Sequence, residues 1–558
     1  MSLDVFRLQH DFPDLVPEPL SRDRGATAYR LKLPPFPWGR DFAWAELLLP
    51  HGFPDRAAAK IMLSPNAVLR IPHVEDSGSL CIEGDPGPGC GYSVNDRALL
   101  LLLAYQEKFL GPWLAGKLDS DFSTEPLNYW YITVAKARSN ADPVRAVWTV
   151  DECPARPHVH EGLLVLPSRI VIAGDRDMPI TGRIINSLGA ARASQQIRVL
   201  IADIPLSHPL TPATWPRTAT DLDQLLTGRL RPAQQASFRQ PLRRRGSSVH
   251  RIVLLRHGTC AFAYLLPGGP ATVIKLERCK KTYPPLSMPL PLRVHRLDPA
   301  WTVGRDQHPE VPHRQTQHVL VLGAGALGSP VVEHLAKVGV GYITLVDGDD
   351  LAPANIGRHL LGADAIGQDK ADAVARRVNA GHPASQVTPM VMNAGKWLNQ
   401  NTLAGVDLVL DLTGEPDVRW QVEQARRLHP CPLLIGWMEP YVAASHVCSL
   451  PSDTPWLQGT EDLMGKLGAV DWPDDVIRQE PGCSSRFQSY TAVAAAYAVA
   501  IVAENALKMV DGAIAEPRVI SWVRGQRYLD DQRPDLALRD WAATAAPHDG
   551  LVIERAFP

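Results

Sequence analysis

Residues 319–370 read VLVLGAGALGSPVVEHLAKVGVGYITLVDGDDLAPANIGRHLLGADAIGQDK. The apolar run 319–322 reads as a buried strand. Gly323-Ala-Gly325-Ala-Leu-Gly328 reads as a tight turn that opens a helix over about 330–338. A second apolar run, 342–346, ends in Asp347-Gly-Asp349. Strand, glycine turn, helix, strand and acid, in that order, make the nucleotide-binding half of a doubly wound parallel sheet. Gly323, Gly325 and Gly328 let the backbone approach a phosphate, and the helix N-terminus supplies N–H donors and positive dipole. An acid at the end of the next strand can hold a ribose hydroxyl.

The residues beyond that acid are more specific. Asp347-Gly-Asp349-Asp-Leu-Ala-Pro-Ala-Asn355-Ile-Gly-Arg358 resembles the D-x-D…N-x-x-R segment of the ThiF/MoeB/ubiquitin-activating family, and Gly367-Gln-Asp-Lys370-Ala371 resembles its G-x-x-K-A. Membership would imply an ATP-dependent adenylyltransferase that activates a C-terminal carboxylate, with Gly323, Gly325, Gly328, Asp347, Asp349 and Asn355 holding the nucleotide. Attack of a carboxylate on the α-phosphorus builds negative charge, so such a site needs fixed cations and usually Mg2+. Arg358 and Lys370 stand where they could supply that charge. Relatives carry D-x-T-D after a later strand, and its second aspartate helps bind the metal. Here the segment is Asp411-Leu-Thr-Gly414-Glu415, so either Asp411, the first candidate, or Glu415 would have to serve as the Mg2+ ligand, or the metal is held differently. The family also often places an arginine just upstream of the nucleotide fold, which makes Arg305 a candidate that reaches ATP across a homodimer.

A second resemblance lies near the N-terminus. Ubiquitin-conjugating enzymes carry H-P-N, then seven residues ending in glycine, a variable residue and an aliphatic one, then the catalytic cysteine. This chain has Ile71-Pro72-His73, seven residues that include Gly78 and Leu80, then Cys81. Pro50-His-Gly-Phe-Pro54 resembles that family's P-x-x-Y-P strand end. His73 replaces the asparagine thought to stabilise the oxyanion; a histidine can donate a hydrogen bond there, or act as a base. In the C-terminal region, Pro-Gly-Cys483-Ser-Ser precedes a helix over about 488–509, the place where activating enzymes carry their own catalytic cysteine.

Composition sets the outer bounds. A chain of 558 residues should hold about three domains. A net charge of −2 gives no reason to expect direct nucleic-acid or membrane attraction. Among the eight cysteines there is no C-x-x-C pair, so a four-cysteine zinc site is not expected, and free thiols suit a reducing cytoplasm. Nothing in the first residues reads as a signal peptide, and the alanine-rich run 490–503 is too short to span a bilayer.

Along the chain, a short helix is predicted over 6–20, then strands over 27–33, 41–49 and 58–63, a helix over 96–116, and another resembled helix over 122–130 whose aromatics read as core. Short strands follow over 146–150, 162–165, 169–173, 197–202, 249–256 and 271–276, with a basic loop at 242–246 and no chemical motif. His158 and His160 form an H-x-H with no partner ligand nearby and read as a solvated turn. These readings give an α/β and α+β multidomain fold class: a ubiquitin-conjugating-like α+β domain at 1–145, a β-rich linker domain at 146–315, and a doubly wound α/β ThiF-type adenylation domain at 316–558.

Both modules on one chain resemble the ubiquitin-transferase-like proteins of bacterial CBASS antiphage operons. That resemblance implies activation of a protein substrate with a free C-terminus, either a cGAS-like nucleotidyltransferase or a ubiquitin-like protein. The acyl group would pass from AMP to Cys483, then to Cys81, then to an amine acceptor, in a homodimer. Two other classes stand beside it: a sulfur-carrier adenylyltransferase, which needs no Cys81, and a nucleotide-binding pseudoenzyme scaffold, which Gly414 would suit.

Overall fold

The computed structural model describes residues 3–35, 42–137, 142–174, 177–189, 195–239, 243–244, 247–248, 250–267, 288–457, 459, 461–476, 478–479, 486–487 and 490–558. The chain divides into two compact units, one of Met1–Trp148, Glu152–Ala173 and Gln196–His295, the other of Thr149–Asp151, Gly174–Gln195 and Arg296–Pro558.

In the first unit, the helix predicted over 6–20 spans only Val5–Asp11, because Pro13 pushes Phe12 out of the helical region, to φ −126° and ψ 80°. An antiparallel meander follows, of strands Leu20–Arg22, Ala26–Lys32, Trp44–Leu49 and Lys60–Met62. Alternation sends Leu31, Ala45, Leu47 and Ile61 to one face, where they share a core with Ala98, Leu101, Leu102, Tyr105, Phe109 and Trp113. Those last six lie on the helix predicted over 96–116. It runs as Val94–Tyr105, then widens by one residue per turn over Gln106–Leu110, where the Gly111 N–H reaches back to Gln106 O. Pro112 has no N–H with which to continue the normal ladder.

Arg97, 2% exposed, clamps this helix to the chain just past Cys81. Its Nε and Nη2 donate to the two oxygens of Asp85 at 2.6 and 2.9 Å, and Nη1 and Nη2 also donate to Pro54 O and Ala57 O. The rest of the first unit is built on a closed seven-stranded barrel. Besides the predicted strands, it includes Cys260–Leu266 and Leu290–Arg296, which the sequence reading missed; the run at 271–276 lies outside the described residues. The helix Pro126–Ala137 joins this barrel rather than standing apart. Its Trp130 packs edge-on against Trp215, Phe262 and Tyr264 and donates to Leu292 O at 2.9 Å.

The second unit carries an eight-stranded sheet. Gln386–Val391, Tyr342–Asp347, His318–Leu322, Leu408–Asp411 and Leu433–Met438 run parallel, and Ala444–Leu450, Arg518–Val523 and Leu551–Ala556 extend it antiparallel. Val319 and Val321 face a core shared with the helices Gly328–Lys337, Lys370–Gly381 and Ala492–Val510. Leu320 and Leu322 face the opposite core, under Ala394–Gln400 and Pro416–Leu428. Helices thus cover both faces of the parallel part, as the 319–370 reading requires. The apolar run 490–503 falls in the helix predicted over about 488–509, which runs as Ala492–Val510. Ala492–Val510 has 19 residues, long and apolar enough to cross a bilayer, but 61% of its apolar window is buried in the unit.

The Arg97–Asp85 pair gives a stability test. Removing one partner of a buried pair strands the other charge, a loss of about 3–5 kcal/mol. Arg97→Ala should lower the stability of the first unit by that order in denaturant unfolding, and Arg97→Met with Asp85→Leu should lose less. An Arg97→Ala curve that overlays the wild type would contradict the clamp.

Candidate active site

The glycine turn and the acidic segment are tied together through Asp347. Its Oδ2 accepts from the Ala324 N–H at 2.7 Å, and its Oδ1 accepts from the Asp349 N–H at 2.9 Å. Asp347 therefore builds the loop, while Asp349, with its side chain 75% exposed, presents a carboxylate to solvent. Lys370 starts the helix Lys370–Gly381, and its buried Nζ donates to Asp349 Oδ2 at 2.9 Å, while its N–H donates to Asp349 O. Asn355 also builds: its Oδ1 accepts from the Ala352 N–H at 3.0 Å, and its carbonyl accepts from the Arg358 and His359 N–H groups. Gly328 is required by close approach, since a Cβ there would lie 1.9 Å from Gly323 O. Gly325 has open space where a Cβ would point, so the turn can be approached from that side.

Three side chains at this site escaped the sequence reading. The Arg358 guanidinium lies over the Tyr490 ring, 5.1 Å from its centroid, a contact that orients the cation. Ser329 Oγ donates to Gly325 O at 2.8 Å and accepts from the Leu360 N–H at 3.3 Å. His359 Nδ1 accepts from the Leu361 N–H at 3.0 Å, so Nε2 carries the proton and donates to Ala324 O at 2.6 Å. Burial lowers the His359 pKa, which favours this neutral ring. His359 is adjacent to Arg358 in sequence, but only the fold brings it under the glycine turn.

Arg305 is exposed and ends the short helix Pro299–Gly304 in a left-handed conformation, φ 50°. Among the described residues, no hydrogen bond or ion pair joins it to the nucleotide cluster. Asp411 is 1% exposed; Thr413 donates to its Oδ1 through N–H and hydroxyl, while its Oδ2 has no hydrogen-bond partner among the described residues. Burial pushes its carboxyl up. An anion buried this way either takes a proton or needs a cation, and a carboxylate oxygen is a fitting donor for a hard divalent metal. Gly414 is left-handed at φ +75° with open space beside it, so its glycine sits there without strain.

In the first unit, the spacing between His73 and Cys81 is a hairpin. The Cys81 N–H donates to His73 O at 2.7 Å, Val74 pairs with Leu80, and the turn closes with Glu75 N–H to Ser79 O and Gly78 N–H to Glu75 O. Gly78 is left-handed at φ +84°, and a Cβ would lie 2.4 Å from Leu63 O. The arm that follows lies against the strand Lys60–Met62 through Leu80 N–H to Ile61 O. Cys81 is exposed at the end of this arm. Burial of its thiol raises the pKa, and the carboxylates of Glu75, Glu125 and Glu83 raise it further. His73 is left-handed at φ +61°, its N–H donates to the Tyr129 hydroxyl at 3.0 Å, and its Nε2 lies 3.0 Å from Asp121 Oδ2. Tyr129 thus does more than fill core.

Cys483 lies outside the described residues. His158 and His160 are not in a turn: they lie on the strand His158–Val165, with stacked rings 4.8 Å apart, and the register sets Asp203 opposite His158. These three could converge on a metal. However, Arg256 already donates to both oxygens of Asp203, so the carboxylate is electrically matched within the barrel.

Residues 310–537 match the ThiF family. Over 120 residues the chain is 34% identical to the adenylyltransferase and sulfurtransferase UBA4 of Yarrowia lipolytica, covering 22% of this chain and 30% of that protein. Over 234 residues it is 26% identical to the ATP-dependent ubiquitin transferase-like protein Cap2 of Pseudomonas aeruginosa, covering 40% of this chain and 41% of that one. Over 119 residues it is 34% identical to the molybdopterin-synthase adenylyltransferase of Salmonella typhimurium, covering 21% and 48%. The chain spans less than half the length of each of these relatives.

The surroundings of Cys81 make its reactivity measurable. A raised pKa means less thiolate at neutral pH, hence slower alkylation than an unperturbed exposed thiol. Iodoacetamide labelling followed at the Cys81 peptide should show an inflection above that of a free cysteine peptide, and Glu75→Gln with Glu125→Gln should move it down. An inflection at or below the free-peptide value would contradict the acidic surround.

Proposed function

We infer, from a chain that carries a ThiF domain and resembles the ubiquitin-transferase-like proteins, that it is an ATP-dependent adenylyltransferase. Its substrate is the C-terminal carboxylate of a protein. The observation that carries this reading is the linked set Ala324–Asp347–Asp349–Lys370, which joins the glycine turn, an exposed acid and a buried cation in one network. Lys370 and Arg358 supply positive charge for the phosphates in the transition state. Asp349 binds the nucleotide's hydroxyls or its metal, and the open side of Gly325 leaves room for phosphate. Mg2+ fits the unpartnered Oδ2 of Asp411, where it would add charge for the departing pyrophosphate.

The N-terminal 145 residues act in this reading as a conjugating domain, 146–315 as a linker domain and 316–558 as the adenylation domain. The meander, the hairpin that closes Cys81 on His73 and the exposure of Cys81 support the first assignment. An acyl-adenylate is the most reactive species and forms beside ATP, so the first thiol belongs to the adenylation domain. That thiol is Cys483. The group then passes to Cys81 and on to an amine. The substrate is a cGAS-like nucleotidyltransferase in antiphage defence, or else a ubiquitin-like protein, and the working form is a cytoplasmic homodimer in which Arg305 reaches the partner's nucleotide.

Pyrophosphate–ATP exchange and thioester trapping, with the substrate protein present, test this reading together. Lys370→Ala should reduce exchange by about 10²–10³-fold. Cys81→Ala should accumulate a reducible thioester on Cys483 with no product, and Cys483→Ala should form adenylate but neither thioester. Exchange at the wild-type level in Lys370→Ala would overturn the adenylation assignment; normal loading of Cys81 in Cys483→Ala would overturn the relay.

A further inference from the structure

Beside Cys81 lies a histidine–acid pair that the residue spacing did not reveal. Asp121 Oδ2 is 3.0 Å from His73 Nε2, with the two side chains 29% and 18% exposed. Asp121 is 48 residues from His73 in sequence, on the two-turn 3-10 segment Leu118–Ser123. The Ser120 hydroxyl donates to Lys117 O at 2.6 Å and lies 3.4 Å from the other oxygen of Asp121. The backbone of His73 is held on both sides, by the Tyr129 hydroxyl at its N–H and by the Cys81 N–H at its carbonyl. Ring and backbone are therefore fixed by separate contacts. A left-handed φ at a histidine persists only where the surroundings hold it so.

An ionised carboxylate can only accept hydrogen bonds. Asp121 therefore takes the Nε2–H of a neutral His73, and Nδ1 is left as an unprotonated acceptor. A ring in that state cannot stabilise an oxyanion through Nδ1, but it can take a proton there. We propose, on the conjugating reading of Cys81, that Asp121 is a positioning residue that holds His73 in the Nε2–H tautomer and so makes His73 the base for the attacking amine. The carboxylates that act on the groups packed here are Glu75, Glu125 and Glu83 at Cys81, and Glu125 and Asp121 at Tyr129.

The step balances without a further reactant. The amine lone pair attacks the acyl carbon of the thioester on Cys81 Sγ, and a C–N bond forms. The proton on that nitrogen passes to His73 Nδ1. The C–S bond breaks, the leaving thiolate takes the proton back from His73, and amide, neutral imidazole and free thiol remain.

The test needs no knowledge of the natural substrate. Cys81 in the full chain is acylated by exchange with an N-acetylglycyl thioester, and its discharge onto free lysine is followed by mass spectrometry of the Cys81 peptide across pH. Asp121→Asn should slow discharge by about 10²–10⁴-fold and flatten its rise with pH, because an amide can donate to Nε2 and move the proton to Nδ1. Nitrogen-15 spectra of labelled histidine should show that tautomer change, and Asp121→Glu should restore most of the rate. His73→Asn, which can donate but cannot take a proton, should be as slow as Asp121→Asn. Wild-type discharge by either Asp121→Asn or His73→Asn overturns the inference and leaves the conjugating reading standing. A wild-type protein that discharges no faster than the same thioester on free cysteine overturns the conjugating reading, and this inference with it.

Discussion

Asp347 is the residue through which the nucleotide region holds its shape. One carboxylate, at the end of a parallel strand, takes one N–H from the glycine turn and one from its own acidic segment. Both donors would otherwise face a partly buried loop without partners, and unpaired backbone groups there are costly. The same contact leaves Asp349 free to face outward and meet Lys370, whose ammonium is buried at the start of a helix. The 2.9 Å contact with Asp349 fixes where that ammonium sits. The chemistry proposed for the site needs that fixed charge, and each part of it traces to the geometry of Asp347.

The region around Cys81 is organised on a different principle. Partial burial, and after it the carboxylates of Glu75, Glu125 and Glu83, raise the pKa of the Cys81 thiol, the reverse of the arrangement that activates a nucleophile. The sense of this appears on the acylated side of the reaction. On the conjugating reading proposed for this domain, a thiol of higher pKa is a poorer leaving group, so an acyl group on Cys81 would be less prone to loss. Slow intrinsic loss and assisted transfer are compatible only if something acts on the incoming amine, which is the part proposed above for His73.

Local patterns were the legible part. The order of strand, turn, helix and strand over 319–347 was legible because each element depends on neighbours close in sequence. The spacing from His73 to Cys81 was legible for the same reason, since a hairpin is a local object. What escaped depends on residues far apart in the chain. Tyr490 lies under Arg358, and Asp121 and Tyr129 hold His73, across separations that no periodicity encodes. The barrel was seen only as scattered strands, because closure is decided by which strands pair, and Gln196–Pro205 with Arg251–His257 is a parallel pairing between distant segments. His158 and His160 read as a turn because polar residues suggest exposure, whereas the strand uses that alternation to set them beside Asp203.

The chemistry proposed for the second unit depends first on ATP binding framed by Asp347. Isothermal titration of ATP into the full chain measures this without any substrate protein. Wild-type protein should bind, and Asp347→Ala, which frees the Ala324 and Asp349 N–H groups while leaving the sheet intact, should lose at least about tenfold in affinity, the order expected from one hydrogen-bonding carboxylate. Undiminished ATP binding by a folded Asp347→Ala protein, or no binding by the wild type, would contradict it.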